Sequence, residues 1–357
     1  MSAHQLPRWS WIFPLLACVL LGVAFSGVSS AWFLAAVAVC LGGAVFAAVH
    51  HAEVIAHRIG EPFGTLVLAL AVTIIEVALI LSMMLSGGED KLALARDTVF
   101  SAIMIICNGI VGLCLLLGGL RHGEQEYQQQ GVSAAMAVLT SMAVLTLVLP
   151  NYGLSEAGHM LSSKQLAFTG VVSLVLYGAF VFVQTVRHRD YFLDEASNEG
   201  THAATGNKVA CWSAGLLLVS LVAVVGLAKV LSPSIEQMVG AMGAPQAVVG
   251  IIIAAMVLLP EALAATRAAR ANRLQTSLNL ALGSGLASIG LTIPAVALIF
   301  VMTGRPLVLG LEMKETVLLG LTLLVGSMSL ATGKTTILQG VVHLVLFATF
   351  LFFAISP

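Results

Sequence analysis

The sequence predicts an all-α polytopic membrane protein of about eleven transmembrane helices, one leading helix followed by two inverted five-helix repeats. Three observations predict it. Of 357 residues, 16 are Lys or Arg and 17 are Asp or Glu, 9% charged in all, where soluble domains carry about 25%. Apolar residues make up 59% and the mean hydropathy is +1.02, so the apolar runs are continuous rather than amphipathic. One long polar interruption leaves five apolar runs on each side of it once the first is set apart. Five crossings is an odd number, so two homologous halves must enter the bilayer in opposite senses.

Each element follows from a run of apolar residues long enough to span at about 1.5 Å per residue. The N-terminal segment 1–30 holds the run 11–27, read as an uncleaved first span because the basic region before it is only Arg8. The first repeat, 31–186, holds the runs 32–49, 63–86, 98–120, 132–149 and 165–186. The linker 187–208 is acidic, with Asp190, Asp194, Glu195 and Glu199, and is read as cytoplasmic. The second repeat, 209–357, holds the runs 209–231, 246–266, 276–303, 316–332 and 335–355.

Lys and Arg set the orientation. With the N-terminus inside, the inner connections hold Arg8, Arg58, Arg121, Arg187, Arg189, Lys208, Arg267, Arg270, Arg273 and Lys334, and the outer ones Lys91, Arg96, Lys164, Lys229, Arg305 and Lys314. Ten against six puts the N-terminus in the cytoplasm and the C-terminus outside. A net charge of −1 offers no basic face for nucleic acid. The partners expected are the lipid bilayer and transported ions, and the oligomeric state is not legible. Cys18, Cys40, Cys107, Cys114 and Cys211 lie in or beside apolar runs without metal-binding spacing and are read as buried small hydrophobes.

Two carboxylates stand apart from these topology markers. Glu76 interrupts the third run and Glu261 the eighth, the second run of each repeat. An ionised carboxylate deep in a bilayer is costly unless it meets a cation, a proton or a cavity, so each is a candidate functional group. Pro260 has no N–H for the carbonyl of Met256, which predicts a broken helix and a carbonyl freed as a cation ligand. Thr73 and Pro62 are the weaker counterparts near Glu76. The spans that follow carry Asn108-Gly109 and Asn279 with Gly283-Ser284-Gly285 and Ser288, polar or small residues that either line a cavity or bridge helices. Pro294 is read as a bend and, with Pro260, as a hinge point.

Two carboxylates among neutral oxygens suit a hard cation such as Ca²⁺. Two protons neutralise the same pair, so cation and proton compete for one cavity, and alternating access makes exchange obligatory. No cofactor is expected, since the ions are cargo. Ca²⁺ is the favoured cargo, with Na⁺ or K⁺ as the alternative. Two other classes are weighed, a cation channel and an intramembrane zinc hydrolase built on His50, Glu53 and His57. The hydrolase lacks the adjacent His-Glu of a zincin motif, and neither class explains a Glu repeated in both halves. Thr332-Gly333-Lys334-Thr335-Thr336 has the tail of a phosphate-binding loop but Met328 where its first Gly belongs. His343, alone in the last span, is read as a satisfied interior histidine, with a proton relay as the alternative.

Segments 52–79, 96–119 and 249–294 resemble the proton-coupled cation exchangers of the calcium/cation antiporter superfamily. The resemblance rests on Gly60-Glu61-Pro62-Phe63-Gly64 leading to Glu76, and on Ala271-Asn272-Arg273-Leu274-Gln275 leading to Leu282-Gly283-Ser284 and Ile293-Pro294. It is nearest to the bacterial calcium (sodium, potassium)/proton antiporters of the inner membrane. It implies one leading span, two inverted five-span halves, and cation and proton binding at Glu76 and Glu261. Where the family has Gly-Asn before each Glu, this chain has Val72-Thr73 and Val257-Leu258, and Ala262 and Ala287 replace a His and a Gln. Fewer amide oxygens therefore surround the expected cation.

Overall fold

The computed structural model describes residues 6–28, 30–59, 63–86, 91–153, 161–192, 206–243, 245, 247–304 and 307–356. The helices in chain order are α1 (Arg8–Ala24), α2 (Ala31–Ile59), α3 (Phe63–Ser86), α4 (Leu94–Met104), α5 (Val111–His122), α6 (Gln129–Ala143), α7 (Ser163–Phe182), α8 (Asn207–Ala241), α9 (Ala247–Arg270), α10 (Leu274–Ala287), α11 (Ile293–Thr303), α12 (Met313–Ser329) and α13 (Ile337–Ile355). A π-helical turn, Ile105–Ile110, joins α4 to α5, and another, Ser288–Thr292, joins α10 to α11. Counting each joined pair once gives eleven helical spans among the described residues. Eight of these stretches are long and apolar enough to cross a membrane by themselves.

Several boundaries follow from local chemistry. Ser162, Glu312 and Thr336 precede α7, α12 and α13 and each closes a capping box with the residue three positions on, Gln165, Glu315 and Gln339. The turn between α9 and α10 uses Asn272 at φ 59°, a left-handed position that Asn tolerates better than other residues with a Cβ. Span 7 is longer than the apolar run predicts. Pro233 lies inside α8, and the helix continues to Ala241, so Lys229 rides on the helix rather than beyond it.

The expected break at Pro260 is absent. α9 is continuous from Ala247 to Arg270, and α3 is continuous past Glu76. One missing N–H removes a single ladder bond, and the flanking bonds hold the helix together in apolar surroundings. Pro294 stands in the first turn of α11, where its missing N–H costs little, and the irregularity lies just before it in the π turn. Gly60 to Pro62 and the acidic linker from 193 to 205 lie outside the described residues. Cys40, Cys107 and Cys114 are buried as expected, but Cys18 and Cys211 are exposed, on outward faces of α1 and α8.

Helix packing divides the chain into two units that differ from the sequence halves, each drawing on both. The first is Met1–Gly87 with Glu199–Met242, the second Gly88–Asn198 with Gly243–Pro357. In the first, α2 packs against α1, α3 and α8. His50 and His51 sit here: His50 lies 5.1 Å from the Trp9 ring and His51 Nε2 is 2.8 Å from the Ser10 carbonyl.

In the second unit α9 packs on α4, α5 and α10, and α5 packs on α13. The α5–α13 contact is made through glycine. A Cβ at Gly340 would lie 2.5 Å from the Leu116 backbone nitrogen, and one at Gly112 would lie 2.9 Å from His343 Cβ. Small residues permit this backbone approach in a bilayer, where close van der Waals packing is a main source of helix association.

The connections of this unit collect at two ends. At one end, β1 (Gln125–Glu126) pairs antiparallel with β2 (Lys334–Thr335). Gln125 Nε2 donates to the Ala269 carbonyl (3.0 Å) and to Asn272 Oδ1 (2.9 Å), and the Gln128 N–H donates to Gln275 Oε1 (2.7 Å). The former phosphate-loop candidate is thus a turn, a ribbon strand and a helix cap, and the Lys334 ammonium is 2.6 Å from Glu126, which it holds below the usual carboxylate range. At the other end Gly250 of α9 abuts the backbone of Asp97 and Thr98, each 3.0 Å from a Cβ built there.

Candidate functional site

Glu76 sits near the middle of α3 and is 2% exposed, with Thr73 one turn away and 5% exposed. Both belong to the first unit. The burial of a carboxylate on an otherwise apolar helix is what the sequence predicts. α3 carries no Lys or Arg.

Glu261 belongs to the second unit. It is half-buried on α9, next to the buried Pro260 and one turn beyond the half-buried Met256. Its helix has only two basic residues, Arg267 and Arg270, both in the last turn. α9 and α10 form an antiparallel hairpin across the turn 271–273. Glu261 lies nine residues before the end of α9 and Gly283 nine residues after the start of α10, so both stand about 13 Å from the turn. The hairpin therefore brings Glu261 level with Gly283-Ser284. A Cβ at Gly283 would meet nothing within 4 Å, and Ser284 is half-buried. Ser288 is buried in the π turn, and a Cβ at Gly285 would lie 3.4 Å from Ile106 of the other π turn.

Two candidates have other partners. Asn279 Nδ2 donates to the Phe192 carbonyl and its Oδ1 accepts from Gln275 Nε2 (2.9 Å), so it anchors the turn after α7 instead of lining a cavity. Asn108 is fully buried in the first π turn, where its Nδ2 donates to Thr322 Oγ1 (2.8 Å) and its Oδ1 faces His343 Nδ1 (3.2 Å). Both bridge helices, the second of the two roles the sequence leaves open.

The sequence reading misses one buried charge. Asp97 is 7% exposed in the first turn of α4, 2.7 Å from Arg96 Nε, and Arg96 Nη1 also donates to the Gly310 carbonyl (3.1 Å). Arg96 is thus a buried partner rather than a solvated topology marker. The adjacent Arg-Asp at the start of an apolar run was the available signal. Asp97 lines a cleft with Lys314, Glu315, Phe100 and Phe350 at this end of the unit.

A polytopic helical bundle with one carboxylate buried on α3 and another half-buried on α9, whose basic residues are confined to its last turn, is the arrangement expected of a secondary transporter of cations. The chain belongs to the sodium/calcium exchanger protein family, whose pattern matches residues 29–186 and 212–356. It is 52% identical over 362 aligned positions to y4hA of Sinorhizobium fredii (strain NBRC 101917 / NGR234), named as an ionic transporter, covering 100% of this chain and 98% of that protein. It is 36% identical to the sodium-potassium/proton antiporter ChaA of Escherichia coli (strain K12), covering 96% of this chain and 94% of that one. The fold matches the crystal structure of the H⁺/Ca²⁺ exchanger CAX with a TM-score of 0.72 at 15% identity, covering 97% of this chain and 89% of that one. The protein is therefore a multi-pass cation exchanger of the calcium/cation antiporter superfamily, akin to its bacterial cation/proton antiporters, and not an enzyme.

Proposed function

We propose that this protein is an inner-membrane antiporter that moves Na⁺ or K⁺ out of the cytoplasm in exchange for protons, with Glu76 and Glu261 carrying cation and proton in turn. The observation that carries the exchange site is a buried carboxylate on α3, which has no basic residue, and a half-buried one on α9, whose Arg267 and Arg270 are confined to the last turn. Each carboxylate is neutral with a proton and competent for a cation without one, so binding of one expels the other. Ser284, the open space beside Gly283 and the Met256 carbonyl supply neutral oxygens and room at the level of Glu261. Thr73 is the corresponding hydroxyl one turn from Glu76.

The monovalent cargo is supported by the 36% identity to a sodium-potassium/proton antiporter along nearly the whole chain. Ca²⁺ is the second reading, favoured by two carboxylates whose combined charge balances a divalent ion. Two inverted halves are supported by the two stretches that match one family pattern and by the π turns in spans 4 and 9. A cytoplasmic N-terminus is supported by the Lys and Arg distribution.

Inverted membrane vesicles energised with an inside-acid proton gradient test the cargo. Na⁺ and K⁺, added separately, are expected to discharge the gradient reported by a pH-sensitive dye. A response to Ca²⁺ alone selects the second reading, and a response to none of the three overturns the proposal.

A further inference from the structure

His343 is 0% exposed on α13, where its imidazole joins a hydrogen-bonded chain through three spans of the second unit. Nε2 is 2.7 Å from Ser329 Oγ at the end of α12, and Nδ1 is 3.2 Å from Asn108 Oδ1 in the first π turn. Asn108 in turn donates to Thr322, whose hydroxyl is 3.4 Å from Met104 Sδ. These contacts assign the hydrogens. Because the Asn108 amide nitrogen donates to Thr322, its Oδ1 is the atom turned to the ring, and Nδ1 must carry the hydrogen. Nε2 is then a lone pair that accepts from the Ser329 hydroxyl.

This arrangement can take up a proton without rebuilding. A proton added at Nε2 makes that atom a donor to Ser329 Oγ, and the serine hydrogen turns to the Gly326 carbonyl, 3.4 Å away. Nδ1 keeps its bond to Asn108. Both charge states of the ring are therefore hydrogen-bonded by the same heavy atoms. Access is also built in. Ser329 is half-buried at the last residue of α12, and His343 is six residues into α13, about 9 Å from the end where the ribbon and Arg121 gather. Gly112 and Gly340 fix α13 against α5, so the ring is held in place.

We propose that His343 is a protonation site distinct from Glu76 and Glu261, filled from the ribbon end of the protein through Ser329, by which pH on that side sets the exchange rate. The inference rests on proton-coupled cation exchange and on the ribbon end being cytoplasmic. A charged imidazole raises the potential in the inner half of the protein and opposes cation entry from the cytoplasm, so exchange falls as the ring is protonated. α13 has no other titratable side chain. The helices packed on it carry Arg96, Asp97, Cys107, Cys114, Arg121 and His122 in span 4, Lys314 and Glu315 on α12, and Glu261, Arg267 and Arg270 on α9. The hydrogen-bonding side chains at the ring, Ser329 and Asn108, are neutral.

The test is exchange rate against external pH, from 3 to 8.5, in inverted vesicles, whose outer face is the cytoplasmic one. Ser329→Ala removes the acceptor of the charged ring, so the fall in rate should move to lower pH by about one unit. Ser329→Asp stabilises the charged ring and should move it the other way. Neither substitution should move the profile in a His343→Gln background. An unmoved profile in Ser329→Ala, or a shift that persists without His343, overturns the inference while leaving cation/proton exchange standing. If His343→Gln does not accumulate in the membrane, shifts of equal sign in the two Ser329 variants overturn it instead. Absence of exchange in the unsubstituted protein is failure of the functional proposal itself.

Discussion

Glu76→Gln and Glu261→Gln are each expected to reduce cation-driven proton movement in inverted vesicles at least about 100-fold, the loss that accompanies removal of one charge-assisted interaction of about 3 kcal/mol. Gln matches Glu in volume, so the packing of α3 around a residue 2% exposed is retained, as is the hairpin of α9 and α10. The amide can neither release a proton nor offer a negative charge. Membrane levels of both variants should match the unsubstituted protein on an immunoblot, which separates loss of exchange from loss of fold. Normal exchange by either variant removes that glutamate from the mechanism.

Gly340→Leu is expected to have the largest effect on stability. Even a Cβ would lie 2.5 Å from the Leu116 nitrogen and 2.9 Å from the Gly112 carbonyl. These are backbone atoms that cannot rotate away, so α13 must separate from α5, exposing the Asn108–His343 contact between them. Overpacking a core by a few methylenes costs about 1–3 kcal/mol where side chains can adjust, and here they cannot. Thermal unfolding of the detergent-purified protein should show no cooperative transition for Gly340→Leu. A midpoint within a few degrees of the unsubstituted protein would mean that α5 and α13 are not held by this contact. Gly215 is the contrasting case, since a Cβ there meets nothing within 4 Å.

Span number was legible because apolarity is a property of long segments, and eleven runs correspond to eleven helical spans among the described residues. Helix interruptions were not. Pro260 marks a chemical defect in the ladder, yet packing holds α9 continuous through it. The π turns Ile105–Ile110 and Ser288–Thr292 carry no proline within their own residues. Each contains a glycine beside a polar residue or one removed from it, Asn108-Gly109 and Ser288-Ile289-Gly290, too common a pattern to announce itself. The glutamates were legible for the opposite reason: a lone charge in an apolar run is rare, and Glu76 lies buried on α3 as that rarity implies. Asp97 escaped notice because its neighbour Arg96 made the pair look like an ordinary span end. The roles of Asn108 and Asn279 depend on partners more than 80 residues away in sequence, Thr322, His343 and Phe192, which no local spacing encodes.

The most direct test of the central claim, that cation and proton compete for the same two carboxylates, needs no membrane potential. Purified protein in weakly buffered detergent solution, with a pH-indicator dye, is titrated with NaCl, KCl and CaCl₂ in turn. Addition of the transported cation should release protons in step with its binding, and the Glu76→Gln, Glu261→Gln double variant should release none. Saturable cation binding by the unsubstituted protein without proton release would contradict the account.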